Sequence, residues 1–118
     1  MYSVAAATGL TGFVGKHFLI KLLDEYDFVI NYRRKCDYTI HHKDGTTEDF
    51  TAGYDLCEKL KPNVFYNLAT YYNPQPQNMA DILNITESNI VFPLKVLSAL
   101  NDSNLRVVNF CSYLQLLT

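Results

Sequence analysis

The first residues able to do chemistry are Thr8-Gly9-Leu10-Thr11-Gly12-Phe13-Val14-Gly15, with glycines at intervals of three between an apolar run and a helical pattern. Gly9 permits a tight turn, Gly12 lets a pyrophosphate approach the backbone, and Gly15 lets a helix pack closely on a strand. A helix starting there turns unpaired N–H groups and a partial positive charge toward phosphates. The spacing predicts dinucleotide binding, and the alternative is a tight β–α turn with no ligand. The neighbouring Gly15-Lys16 does not make a P-loop. That motif needs glycine where Leu10 stands and Ser or Thr where His17 stands.

A second cluster lies about 20 positions further on, where an acid would bind the ribose 2′-hydroxyl of NAD. The chain has Tyr32-Arg33-Arg34-Lys35 there, with no acid. Two guanidinium groups suit a 2′-phosphate, to which they can make bidentate charge-assisted bonds. The pair therefore predicts NADP(H) over NAD(H), and the alternative is a solvated basic turn. Other constellations are poor. His41-His42 with Cys36 or Cys57 has no recognised zinc spacing, so no metal site is predicted.

These residues need elements to hold them. Tyr2 to Ala7 reads as a strand that runs straight into the glycine loop, and not as a signal peptide. Phe13 to Tyr26 reads as a helix, with Val14, Phe18, Leu19, Leu22 and Leu23 on one stripe. Asp27 to Tyr32 is a second strand and Asp37 to His42 a weaker third. Thr51 to Lys61 reads as a helix ended before Pro62, and Asn63 to Ala69 as a strand apolar on both faces. Asn78 to Asn101 carries the longest helical pattern, and Leu105 to Phe110 is a last strand. Within the long helix Pro93 lacks the N–H that would bond the Asn89 carbonyl, so the helix is expected to open or kink there. Strand–helix alternation predicts an α/β fold, a doubly wound parallel sheet of about five strands in the order 3-2-1-4-5.

Composition bounds the rest. The 118 residues make one domain, spanning 1–118, and 48% apolar residues can fill a core. Ten basic against twelve acidic residues leave a net charge of −2, which argues against a nucleic-acid partner. No apolar run approaches the roughly 20 residues of a membrane span. Three cysteines without a C-x-x-C pair predict reduced thiols and a cytoplasmic protein.

The T-G-x-T-G-F-x-G loop resembles that of the extended short-chain dehydrogenase/reductases, the class that holds the nucleotide-sugar epimerases and dehydratases. Asn67-Leu68-Ala69 is similar to the family's H-L-A segment. Glu87-Ser88-Asn89-Ile90-Val91 is similar to its asparagine-containing active-site helix, and the stretch from Val108 to Gln115 to the one carrying the catalytic Ser or Thr. The Ser88-to-Pro93 run and the N-x-x-S-x-x-Q ending look most like the CDP-abequose/paratose synthase type of reductase. The resemblance implies a Rossmann-like fold and hydride transfer between a nicotinamide and a sugar carbon of a nucleotide-sugar substrate. It implies that Gly9, Thr11, Gly12, Phe13, Val14 and Gly15 hold the pyrophosphate. Arg33 and Arg34 would take the adenosine phosphate, and Leu68, Ala69 and Thr70 would lie along the cofactor. Ser112 would be the catalytic hydroxyl that bonds the reacting oxygen, and Asn89 would belong to the active-site helix.

Departures from the family limit this. Asn67 replaces a histidine, and Gly45-Thr46-Thr47-Glu48-Asp49 stands where the family has G-D-x-x-D, so Thr46 replaces the acid that contacts adenine. The Tyr-x-x-x-Lys pair that moves the proton is absent: none of the nine tyrosines has lysine four residues on. The expectation is the N-terminal part of an epimerase-type chain, incomplete at its C-terminus and inactive alone. The alternatives are a non-catalytic NADP(H)-binding module and a remnant that binds nothing. The apolar ending Tyr113 to Thr118 and an uncovered fifth strand predict self-association, a homodimer being the simplest form.

Overall fold

A computed structural model describes residues 3–33, 37–51, 61–68, 78–100 and 105–109. β1 (Val4–Thr8) is the middle of a six-stranded sheet ordered β4-β3-β2-β1-β5-β6. Its neighbours are β2 (Phe28–Arg33) and β5 (Val64–Asn67), both parallel to it, and β6 (Arg106–Asn109) runs parallel to β5. All five residues of β1 are buried. Its three successive alanines keep both faces flat, so helices approach the sheet closely from either side.

One face is covered by α1 (Phe13–Glu25). Its Leu22, with Phe18, Leu19 and Leu23, packs on Ala7 and Val29. Val14, placed on the same stripe by its spacing, is instead 63% exposed. The other face is covered by α3 (Phe92–Leu100), whose Phe92 and Val96 meet Val4, Ala6, Ile30 and Phe65. Burying each such side chain contributes about 1.5–3 kcal/mol. Helices on both faces of a mainly parallel sheet make the fold α/β and Rossmann-like.

The third strand departs from expectation. β3 (Asp37–His42) runs antiparallel to β2, pairing Arg33 with Asp37 and Phe28 with His42. Only residues 34–36 join the two strands, and a parallel crossover needs a dozen or more. A further strand, β4 (Thr47–Phe50), follows antiparallel to β3. Its turn is built on Gly45 at φ +94°, with the Gly45 N–H on His42 O (3.0 Å) and the His42 N–H on Thr46 O (2.9 Å). Asp44 Oδ1 accepts from the Thr46 N–H and hydroxyl at 2.9 and 2.7 Å. Tyr32, Tyr38 and Phe50 line up across the three strands, the last two stacked at 5.0 Å between centroids. Such cross-strand aromatic pairs stabilise the ladder.

The long helix runs as α2 (Met79–Thr86), a π turn (Glu87–Val91) and α3. Asn78 caps it, its Oδ1 accepting the Asp81 N–H at 2.9 Å. The helix expected over 51–61 lies almost wholly outside the described residues. Among the described residues no helix is long and apolar enough to cross a membrane.

Candidate functional site

At the C-terminal end of β1 the chain turns at Gly9, whose φ of +77° is a backbone state that L side chains rarely adopt. Leu10 then plugs into the core at 2% exposure, and its N–H donates to Asn31 Oδ1 (3.2 Å) on the adjacent β2. The Gly12 N–H bonds back to Gly9 O at 3.3 Å, and the Lys16 N–H to Gly12 O at 2.9 Å, opening α1. Gly15 is buried under this loop. A Cβ there would lie 2.6 Å from Leu10 Cα and 2.8 Å from its carbonyl carbon, and would strike Gly9 O as well.

Gly12 differs from both. Its φ of −74° suits any residue, and a Cβ would meet nothing nearer than Gly9 O at 3.5 Å. The fold therefore demands Gly9 and Gly15 but not Gly12. A small residue at Gly12 leaves an open cradle at the start of α1, where no side chain caps the helix and no acid occupies the first turn. Thr11, Gly12, Phe13 and Val14 are all exposed around it. The unbonded N–H groups of a helix start suit an anion there, and the cradle fits the pyrophosphate of a dinucleotide.

Across the sheet from α1, the same edge carries a polar ladder. The Thr8 hydroxyl donates to Asn67 Oδ1 at 2.6 Å, and Asn67 Nδ2 donates to Asn109 Oδ1 at 2.8 Å. Parallel registry places the three opposite one another on β1, β5 and β6. Leu68 follows directly, its N–H on Thr8 O at 3.2 Å. Asn67 and Asn109 also line a cleft of about 310 Å³ with Asn89, Phe65, Pro93 and Leu97. Asn89 sits within the π turn, in which the Phe92 N–H reaches back five residues to Glu87 O. Pro93 is the cause. It gives no N–H to the Asn89 carbonyl and its ring would clash with that oxygen, so the turn widens as expected.

Arg33 ends β2 beside the loop, one residue beyond the Thr8–Tyr32 pair. Its Nε donates to Asp37 Oδ1 at 2.9 Å, and its Nη2 lies 3.5 Å from Asp49 Oδ1. The guanidinium read as a phosphate ligand is thus engaged by two carboxylates from β3 and β4. His41, four residues further along the same face of β3 from Asp37, is held below its ordinary range by burial, which outweighs the opposing pull of Asp49.

The structure brings Gly9, Thr11, Gly12, Phe13, Val14, Gly15, Arg33 and Leu68 to one edge, with Asn89 across the sheet. Arg34, Ala69, Thr70 and Ser112 lie outside the described residues. One expectation is overturned: Gly45 and Thr46 cannot contact adenine. Because β3 is antiparallel, their turn adjoins His42, which pairs with Phe28 at the start of β2, the opposite edge of the sheet. Sequence reasoning also missed Asn31 and the Thr8–Asn67–Asn109 ladder. The signal was there, since Asn31 is a lone amide inside the apolar strand DFVINY. Among the described residues no group of three His, Cys, Asp or Glu side chains could hold a metal ion.

No curated protein and no solved structure is significantly similar to the chain. The model of the NAD dependent epimerase/dehydratase family matches residues 5–113, a span that takes in the glycine loop, both helical faces of the sheet and the polar ladder. With a Rossmann-like sheet, a glycine turn opening its first helix and a family match along nearly its whole length, the chain belongs to the NAD dependent epimerase/dehydratase family.

Proposed function

We propose that the chain is the dinucleotide-binding part of a nucleotide-sugar epimerase, dehydratase or reductase, with NADP(H) favoured over NAD(H). Gly12 carries this reading, because nothing among the described residues requires glycine at that position. The start of α1 holds the pyrophosphate through the backbone N–H groups around Gly12 to Gly15, and Phe13 and Val14 form the apolar rim. Arg33 and Arg34 take the 2′-phosphate. Leu68, Ala69 and Thr70 run along the rest of the cofactor. When bound, the nicotinamide supplies or accepts the hydride. Ser112, three residues past β6, is the hydroxyl that bonds the reacting sugar oxygen, and Asn89 orients groups at the π turn. The chain works in the cytoplasm, and its copies pair through the edge strand β6, on which Val107 is exposed.

No tyrosine in these 118 residues has its lysine partner four positions on. We therefore expect no turnover from these 118 residues by themselves, and the alternative is a module that binds NADP(H) without catalysis. Calorimetric titration with NADPH and then NADH tests the proposal. Micromolar NADPH binding, weaker NADH binding and loss of the difference in Arg33→Ala plus Arg34→Ala are expected. Absence of binding from a folded sample refutes it. Oxidation of NADPH with any nucleotide sugar by the chain alone refutes the expectation of no turnover.

A further inference from the structure

The strand pair β3–β4 places two carboxylates where the fold presents its cofactor-binding cation. Arg33 on β2 and Asp37 on β3 stand directly opposite each other, and the Nε–Oδ1 distance is 2.9 Å. Asp49 on β4 approaches the other side of the guanidinium, 3.5 Å from Nη2. Its carboxylate is aimed there by the Thr39 hydroxyl, which donates to the same Oδ1 at 2.6 Å. Thr39 and Asp49 are themselves register partners, so three adjacent strands fix the arrangement. Among the described residues the group is one cation against two anions, and the Asp37 side chain is three-quarters buried.

We propose that Asp37 and Asp49 determine cofactor discrimination by holding Arg33. The inference rests on the reading that the glycine loop binds a nicotinamide dinucleotide. A 2′-phosphate approaching Arg33 meets two carboxylates of its own charge that already hold the guanidinium, a repulsion that a 2′-hydroxyl does not meet. The two acids therefore narrow the preference for NADP(H) that the Arg33-Arg34 pair creates. They come from a hairpin that takes the place of a parallel third strand, so the preference is set by strands outside the glycine loop and β2.

The experiment is titration of wild type, Asp37→Asn and Asp49→Asn with NADPH and NADH at low salt, each variant first checked by circular dichroism. Asp37→Asn is expected to bind NADPH about fivefold more tightly, the factor that removal of one partly exposed ion pair gives. Asp49→Asn, at the longer distance, shows a smaller gain. NADH affinity stays within about twofold, and the gain shrinks in high salt because the charges are screened. An unchanged NADPH-to-NADH ratio in both folded variants overturns the inference while the binding reading stands. Equal tightening toward both cofactors overturns it too. If wild type binds neither nucleotide, the binding reading falls and takes the inference with it.

Discussion

Replacing Gly12 with serine should separate what the fold needs from what a ligand needs. Gly12 is the N-cap of α1, with φ −74° and ψ 175°, an extended state natural to a capping serine. A Cβ there meets only Gly9 O, at an ordinary 3.5 Å. The serine oxygen can accept an N–H from the first turn, worth a few tenths of a kcal/mol over glycine, and it stiffens the unfolded chain. Together these should stabilise Gly12→Ser by about 0.5–1 kcal/mol and raise the melting temperature by roughly 2–6 °C. The same oxygen occupies the cradle and takes an N–H that a phosphate would use. A hydrogen bond to a charged group contributes about 1.5–3 kcal/mol, so affinity should fall about 10- to 150-fold. Gly15→Ala is the contrast. Its Cβ would press on Leu10 backbone at 2.6 and 2.8 Å, so α1 must lift off the sheet and stability must drop. Thermal melts by circular dichroism and calorimetric titration with NADPH provide the two readouts. A Gly12→Ser variant that binds as wild type does, or that loses stability as Gly15→Ala does, refutes the reasoning.

Asn31→Leu leaves the buried Leu10 N–H without its acceptor, which should cost about 1–3 kcal/mol, read as a lower urea midpoint. In the polar ladder, Thr8→Val removes the donor to Asn67 and Asn67→Leu removes both of its bonds. The double variant should lose less than the sum of the singles, and strict additivity by denaturant titration would show that the ladder is not coupled. Asp27 accepts the Ser3 backbone N–H at 3.0 Å and its hydroxyl at 3.2 Å, which hold its carboxyl below the ordinary value. The unfolded chain thus takes up that proton first, so the stability Asp27 contributes is present above about pH 4 and lost as pH falls further. Burial likewise lowers His41 from its ordinary 6.5, and stability should decline as pH falls from there toward its folded value. Asp27→Asn and His41→Gln should each flatten their own part of the pH–stability curve.

Local signals in the sequence reached far in this chain. The glycine spacing located a turn whose φ at Gly9 and packing at Gly15 depend only on neighbouring residues. Pro93 disclosed the opening of the long helix for the same reason, since it acts on a carbonyl four residues back. The order of the parallel strands also followed, because right-handed crossovers leave few alternatives. The direction of β3 was legible but misread: three residues cannot cross over, and Asp44-Gly45 marks a hairpin. Reading that segment as a family motif put Thr46 at the wrong edge of the sheet.

What only the tertiary structure decided are relations between residues far apart in the chain. Thr8, Asn67 and Asn109 come within hydrogen-bonding reach through strand registry, which no local pattern encodes. Arg33 shows the same limit. Its sequence neighbours make it a free cation for a phosphate, whereas the hairpin brings Asp37 across from it and β4 adds Asp49. Residue type and spacing thus determined which turn opens α1 and that it leaves an open cradle around Gly12. The charge presented beside that cradle depends on which strands lie next to β2, and pairing between strands is a property of the folded sheet.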